Sequence, residues 1–170
     1  HIDQCEGLNA RYTQELPETS TEADETAEAI IAGYIQRSGV RLHHQEGDRA
    51  FYRPATDEIV LPLLRQFRST AEYYSTAFHE ITHSTGHEKR LNRLNHAAFF
   101  GTADYSKEEL VAEIGASALV NYVGLETTNS LRNNTAYIQN WLTALRNDKR
   151  LIISASGAAS KAFEYITATS

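Results

Sequence analysis

The stretch Ser69–Gly86, S-T-A-E-Y-Y-S-T-A-F-H-E-I-T-H-S-T-G, decides how the chain is read. It contains His79-Glu80-x-x-His83, and on a helix residues four apart share one face. Two imidazoles so placed can converge on one metal ion. Glu80, beside the first of them, can then serve as general base toward a metal-activated water. The pattern alone is weak, and its surroundings strengthen it. Ser69-x-x-Glu72 predicts a capping-box start, Gly86 predicts a stop, and Tyr74, Ala77, Phe78 and Ile81 form an apolar stripe that buries one side. The competing reading is a core helix whose two histidines are merely hydrogen-bonded.

Upstream of that helix, residues 1–20 lack periodicity and read as an acidic lead-in, a linker from a missing upstream domain. Residues 21–170 form the domain proper. Thr21 is placed to cap a helix carrying Ala27, Ile30, Ile31, Tyr34 and Ile35 inward and ending near Ser38-Gly39. From Val40 to Pro62, β-type runs broken by Glu46-Gly47-Asp48 and Ala55-Thr56-Asp57 predict a small antiparallel sheet, with Ile59-Val60-Leu61 its best strand. His43 and His44 are adjacent, face opposite sides of a strand and cannot form a site together.

Downstream, residues 87–105 lack a clean period and read as a long functional loop. In this loop Lys89, Arg90 and Arg93 make the tightest basic cluster, which reads as solvated. Ser106 is placed to open the next helix, with Glu109 completing a capping box. Gly115-Ala116-Ser117 on that helix allows another helix to come close. Two further helices are expected at about Thr135–Arg146 and Lys149–Thr167, the second weakened at Gly157. The fold class is therefore α+β, mostly helical.

Bulk properties exclude several classes. A net charge of −6 argues against a generic nucleic-acid surface, so this fragment alone is expected to bind no nucleic acid. Cys5 is the only cysteine, which removes any internal disulfide. No apolar run is long enough to cross a membrane, and no signal peptide is visible. The chain has no methionine, so His1 is read as the start of a fragment or processed product.

A hydrolytic zinc site needs a third protein ligand and an open position. Glu108-Glu109-Leu110-Val111-Ala112-Glu113 is the strongest segment for it, because it sets carboxylates four apart on one helical face. One can bind metal while another fixes a ligand imidazole. His87 follows Gly86 directly, a spacing unlike H-x-x-G-x-x-H, and is left with His96 as a loop residue near the site. Tyr105 could polarise a substrate carbonyl.

Three segments together, F-H-E-I-T-H-S-T-G-H-E-K-R-L-N-R, Y-S-K-E-E-L-V-A-E-I-G-A and A-Y-I-Q-N-W-L-T-A-L-R-N-D-K-R, resemble one family. It is the zincin-like metallopeptidase domain at the C-terminus of ArdC-type antirestriction proteins and TraC-type plasmid primases. D-Q-C-E-G-L and Y-R-P-A-T-D-E-I-V-L-P extend the resemblance over nearly the whole chain, while Ser84 and Asn134 depart from its pattern. The resemblance implies a bacterial, cytoplasmic protein of a mobile element, transferable to a recipient cell, with a single-stranded-DNA-binding domain upstream. It also implies one zinc ion on His79, His83 and a glutamate of E-E-L-V-A-E, with Glu80 as base and a protein or peptide as substrate. Zincins of this kind commonly show E-x-x-x-D, which assigns Glu109 to the metal and Glu113 to a ligand histidine. If Glu109 is only a cap, Glu113 becomes the ligand. The rival function is a catalytically silent zinc-binding domain supporting the upstream DNA-binding domain.

Overall fold

The computed structural model describes residues 23–94, 103–125, 148 and 150–168. The first helix, α1 (Glu25–Ser38), is capped by Asp24, whose carboxylate accepts the Ala27 N–H at 2.8 Å. That cap takes the place expected for Thr21. Ala27, Ile31 and Tyr34 are its buried face, and Gly39, at φ 69°, closes the helix in the left-handed conformation that a side chain disfavours.

Three strands follow: β1 (Arg41–Gln45), β2 (Phe51–Arg53) and β3 (Glu58–Pro62). Their spatial order is β1-β3-β2. β2 pairs antiparallel with β3, with Phe51 opposite Val60, but β1 runs parallel to β3, with Leu42 opposite Ile59. The expected antiparallel sheet is therefore a mixed one. The chain leaves one edge at β1, crosses to the other edge at β2 and returns through the middle as β3. Ile59, Val60 and Leu61 are all buried, which is the signature of a strand covered on both faces.

After a single 3-10 turn (Leu64–Gln66) comes α2 (Thr70–Thr85), the helix at the centre of the core. Ser69 caps it by accepting the Glu72 N–H at 3.1 Å, and Glu72 reaches back to the Arg68 N–H at 3.0 Å. Burial is not confined to one stripe. Tyr73, Tyr74, Ala77, Phe78 and Ile81 are buried, and so are Glu80, Thr82, Ser84 and Thr85. The polar members are satisfied locally. Thr82 and Ser84 hydroxyls donate to the Phe78 and Ile81 carbonyls, and Tyr34 donates to Ser84 Oγ at 2.6 Å.

Gly86 ends α2 with φ −75°, an ordinary conformation. Its reason is space: a Cβ there would lie 2.8 Å from Leu94 Cγ. The chain folds back at this point, with Arg93 and Leu94 N–H groups both donating to the Gly86 carbonyl.

The next helix, α3 (Ala103–Tyr122), begins three residues before Ser106. Ser106 is thus inside the helix, and the expected capping box with Glu109 is not formed. α3 packs closely on α2 at Gly115, where a Cβ would meet Thr82 Cγ2 at 2.7 Å. The last helix, α4 (Leu151–Thr167), runs through Gly157 unbroken and packs Ala155 and Ala159 against Leu110 and Val111 of α3. The lead-in 1–20, the helix expected near residues 135–146, Asn134 and His96 lie outside the described residues. No helix among the described residues is long and apolar enough to cross a membrane.

Candidate metal centre

Two helices supply the site. On α2, His79 and His83 are one turn apart, and their Nε2 atoms face each other at 3.1 Å. On α3, Glu109 lies across from both. Its Oε1 is 3.4 Å from His83 Nε2 and its Oε2 is 3.8 Å from His79 Nε2. The tight α2–α3 approach at Gly115 brings that carboxylate into range.

The outer nitrogens are also held by carboxylates. His79 Nδ1 is 3.5 Å from Glu113, and His83 Nδ1 is 3.2 Å from Glu108. Glu108 in turn receives a fork from Arg93, at 2.7 Å from Nε and 2.8 Å from Nη2. Tyr105 hydrogen-bonds Glu109. His87 stays apart, its Nδ1 accepting the Lys89 N–H at 3.2 Å, and His44 Nε2 meets the Tyr73 hydroxyl at 2.8 Å.

The electrostatics follow from this packing. Burial alone would lower His83, but hydrogen bonds to Glu108 and Glu109 overcome it and push it up to about 10. Burial, reinforced by the positive charge on His83, pushes His79 down to about 3. Glu108 and Glu109, which burial would raise, are held below the usual carboxylate range by hydrogen bonds from Arg93 and His83 and from His83, respectively. Glu80 behaves oppositely. It is 8% exposed, and burial pushes its carboxyl above the usual range, with Glu109 adding to the push. A hydrogen bond from the Tyr52 backbone and the charge on His83 oppose this.

The donor set suits a divalent ion. Zinc–nitrogen bonds of about 2.0–2.1 Å at tetrahedral angles separate neighbouring donors by about 3.3 Å. His79, His83 and Glu109 offer separations of 3.1, 3.4 and 3.8 Å, and among the described residues they are the group of histidine, cysteine and acid side chains that could hold a metal.

Of the Lys89, Arg90 and Arg93 cluster, expected to be solvated, Lys89 is exposed but the two arginines turn inward. The Arg90 side chain is 1% exposed and forks onto Asp57, while Arg93 is 14% exposed and holds Glu108. The sequence does not reveal the pairing of Arg93 with Glu108 or the role of either. The available signal was an imbalance of charge: three glutamates within one helical turn and a half require more cationic partners than two histidines.

A family model described as zincin-like metallopeptidase matches residues 25–158. Two Escherichia coli proteins named DNA primase TraC are 42% and 39% identical over 167 and 164 residues, each covering 95% of this chain. The chain spans only 15% and 11% of their respective lengths. The Mn(II)-bound crystal structure of antirestriction ArdC protein from plasmid R388 superposes with a TM-score of 0.72 at 37% identity. That alignment covers 97% of this chain and 58% of the ArdC chain. The α+β fold, its close-packed helix pair and these matches agree: the chain belongs to the zincin-like metallopeptidase family.

Proposed function

We propose that this chain is a zinc-dependent peptidase domain of an antirestriction-type protein, with His79, His83 and Glu109 holding one ion. The observation that carries the reading is the donor triangle of 3.1, 3.4 and 3.8 Å beside a buried glutamate that is not one of the donors. The three donor side chains keep 13–19% exposure, which favours a position open to water over a closed structural site. An ion bound there would supply Lewis-acid polarisation of a carbonyl and ease deprotonation of water at neutral pH.

This chain's residues do the rest. Glu80, with its proton affinity raised by burial, takes a proton from the attacking water and returns it to the leaving amine. Glu113 and Glu108 hold the Nδ1 sides of His79 and His83, so both Nε2 lone pairs point inward. An extended peptide can be aligned by strand addition only at a sheet edge, and Ile59-Val60-Leu61 lie in β3, the central strand. That role passes to β2, the edge strand whose Tyr52 backbone touches Glu80. The similarity to TraC and to plasmid-encoded ArdC, both longer than this chain, supports a bacterial mobile-element protein of which this domain is one part.

The test is hydrolysis of protein and peptide substrates by wild type and Glu80→Gln. The variant should keep its metal and fold yet lose cleavage. Undiminished cleavage by Glu80→Gln would reject the mechanism, and a wild type that binds zinc but cleaves nothing would leave a silent metal-binding domain.

A further inference from the structure

We propose that Arg93 and Glu108 act as a positioning pair for the metal centre, fixing His83 from outside the donor set. The inference rests on the metal-site reading above and concerns how that site is built.

Arg93 is anchored to both helices at once. Toward α3 it forks onto Glu108, Nε to Oε2 at 2.7 Å and Nη2 to Oε1 at 2.8 Å. Toward α2 it donates from Nη1 to Thr85 Oγ1 at 3.1 Å and from Nη2 to the Thr82 carbonyl at 2.9 Å. The planar guanidinium thus fixes the plane of the Glu108 carboxylate relative to the turn of α2 that carries His83. Glu108 Oε1 then lies 3.2 Å from His83 Nδ1. Held there, the carboxylate accepts the Nδ1 proton, so that the ring presents Nε2 toward His79 and Glu109 as the atom free to bind an ion.

The local backbone is shaped for this arginine. The Gly86 carbonyl receives the Arg93 N–H at 2.8 Å, and a Cβ on Gly86 would come within 3.2 Å of Arg93 Nη2. A lysine could offer one charge but not the fork, so it cannot define the carboxylate plane. Arg90, three residues earlier, serves as an internal contrast. It binds Asp57, Tyr52 and the Ser84 and Ser38 carbonyls, and it touches neither histidine nor Glu108.

The experiment measures zinc affinity of the full chain by competition with a chromogenic chelator, together with melting temperature and histidine ring nitrogen chemical shifts. Arg93→Met and Glu108→Gln should each weaken zinc binding roughly 10–100-fold, and Arg93→Lys should restore little. In zinc-loaded chains the ring shifts should show His83 losing its single Nδ1–H tautomer in both variants. Arg90→Met should lower the melting temperature and leave zinc affinity and the His83 tautomer unchanged. Should Arg93→Met fail to fold, Glu108→Gln and Arg93→Lys carry the same test. Wild-type affinity in Glu108→Gln and Arg93→Lys would overturn the proposal while leaving the metal centre intact. A wild type that binds no zinc would overturn the metal reading and this proposal with it.

Discussion

Two charged knots flank the C-terminal end of α2, and they differ in what they leave over. In one, Arg90 forks onto Asp57, Asp57 also accepts from Tyr52, and Arg90 spends its other donors on the Tyr52 hydroxyl and two backbone carbonyls. Every donor there has an acceptor, and the result ties α1, the β2–β3 turn and α2 together. In the other, Arg93 and Glu108 are equally well matched, yet behind them two imidazole nitrogens and a carboxylate face one another. Density of charge therefore does not mark a functional site. A surplus of converging electron pairs does.

The comparison breaks most severely at the second knot. His83→Ala removes a donor, and the chain should no longer hold zinc tightly. For the wild type, free zinc at a hundred times its dissociation constant should add about 2.7 kcal/mol of stability, visible as a chelator-sensitive melting temperature. In His83→Ala the melting temperature should no longer respond to chelator.

Asp57→Ala breaks the first knot and leaves the Arg90 guanidinium buried without its carboxylate. The cost should be about 3 kcal/mol, the low end for a buried pair because Asp57 keeps 19% exposure. Zinc affinity should not change. Burial favours the neutral acid, but hydrogen bonds from Arg90 and Tyr52 prevail and depress Asp57. Its contribution is then fully present above the unfolded-state pKa of about 3.9 and is lost as pH falls toward the lower folded value. Urea titrations should show wild-type stability declining more steeply than that of Asp57→Ala below about pH 4.

Gly115→Ala acts on the packing that joins the two knots to one scaffold. A Cβ 2.7 Å from Thr82 Cγ2 must push α3 from α2, at a cost of about 1–3 kcal/mol. Unlike Asp57→Ala, it should lower stability and zinc affinity together, since Glu109 rides on α3. The gentlest probe is Glu113→Gln, which loosens only the Nδ1 side of His79. Calorimetric titration should show zinc binding weakened by roughly 10–100-fold with little change in melting temperature.

What could be read from the sequence divides along the same line as the physics. The placement of His79, Glu80 and His83 on one helix, and of Glu109 and Glu113 on another, follows from periodicity and end signals spanning a few residues. The close approach at Gly115 was also visible, because a small residue on an apolar face has few other uses. Sheet order was not: the Glu46-Gly47-Asp48 turn looks like a hairpin, and nothing local shows that β3 inserts between β1 and β2. Ser106 looked like a cap because its spacing to Glu109 fits, yet α3 starts earlier, at Ala103. Arg93 reads as a solvated residue because its partner, Glu108, is supplied by a different element. Gly86 was read correctly as an end, but for its conformation rather than for the space it gives Leu94.

The central claim, that two histidines and Glu109 form a metal centre, is tested most directly by the zinc content of purified chains after equilibrium dialysis. The wild type should hold one ion per chain, Glu109→Ala should hold essentially none at the same free zinc, and Glu113→Ala should retain it with weakened affinity. An ion-free wild type would contradict the account, as would a Glu109→Ala chain that stays loaded while Glu113→Ala is stripped.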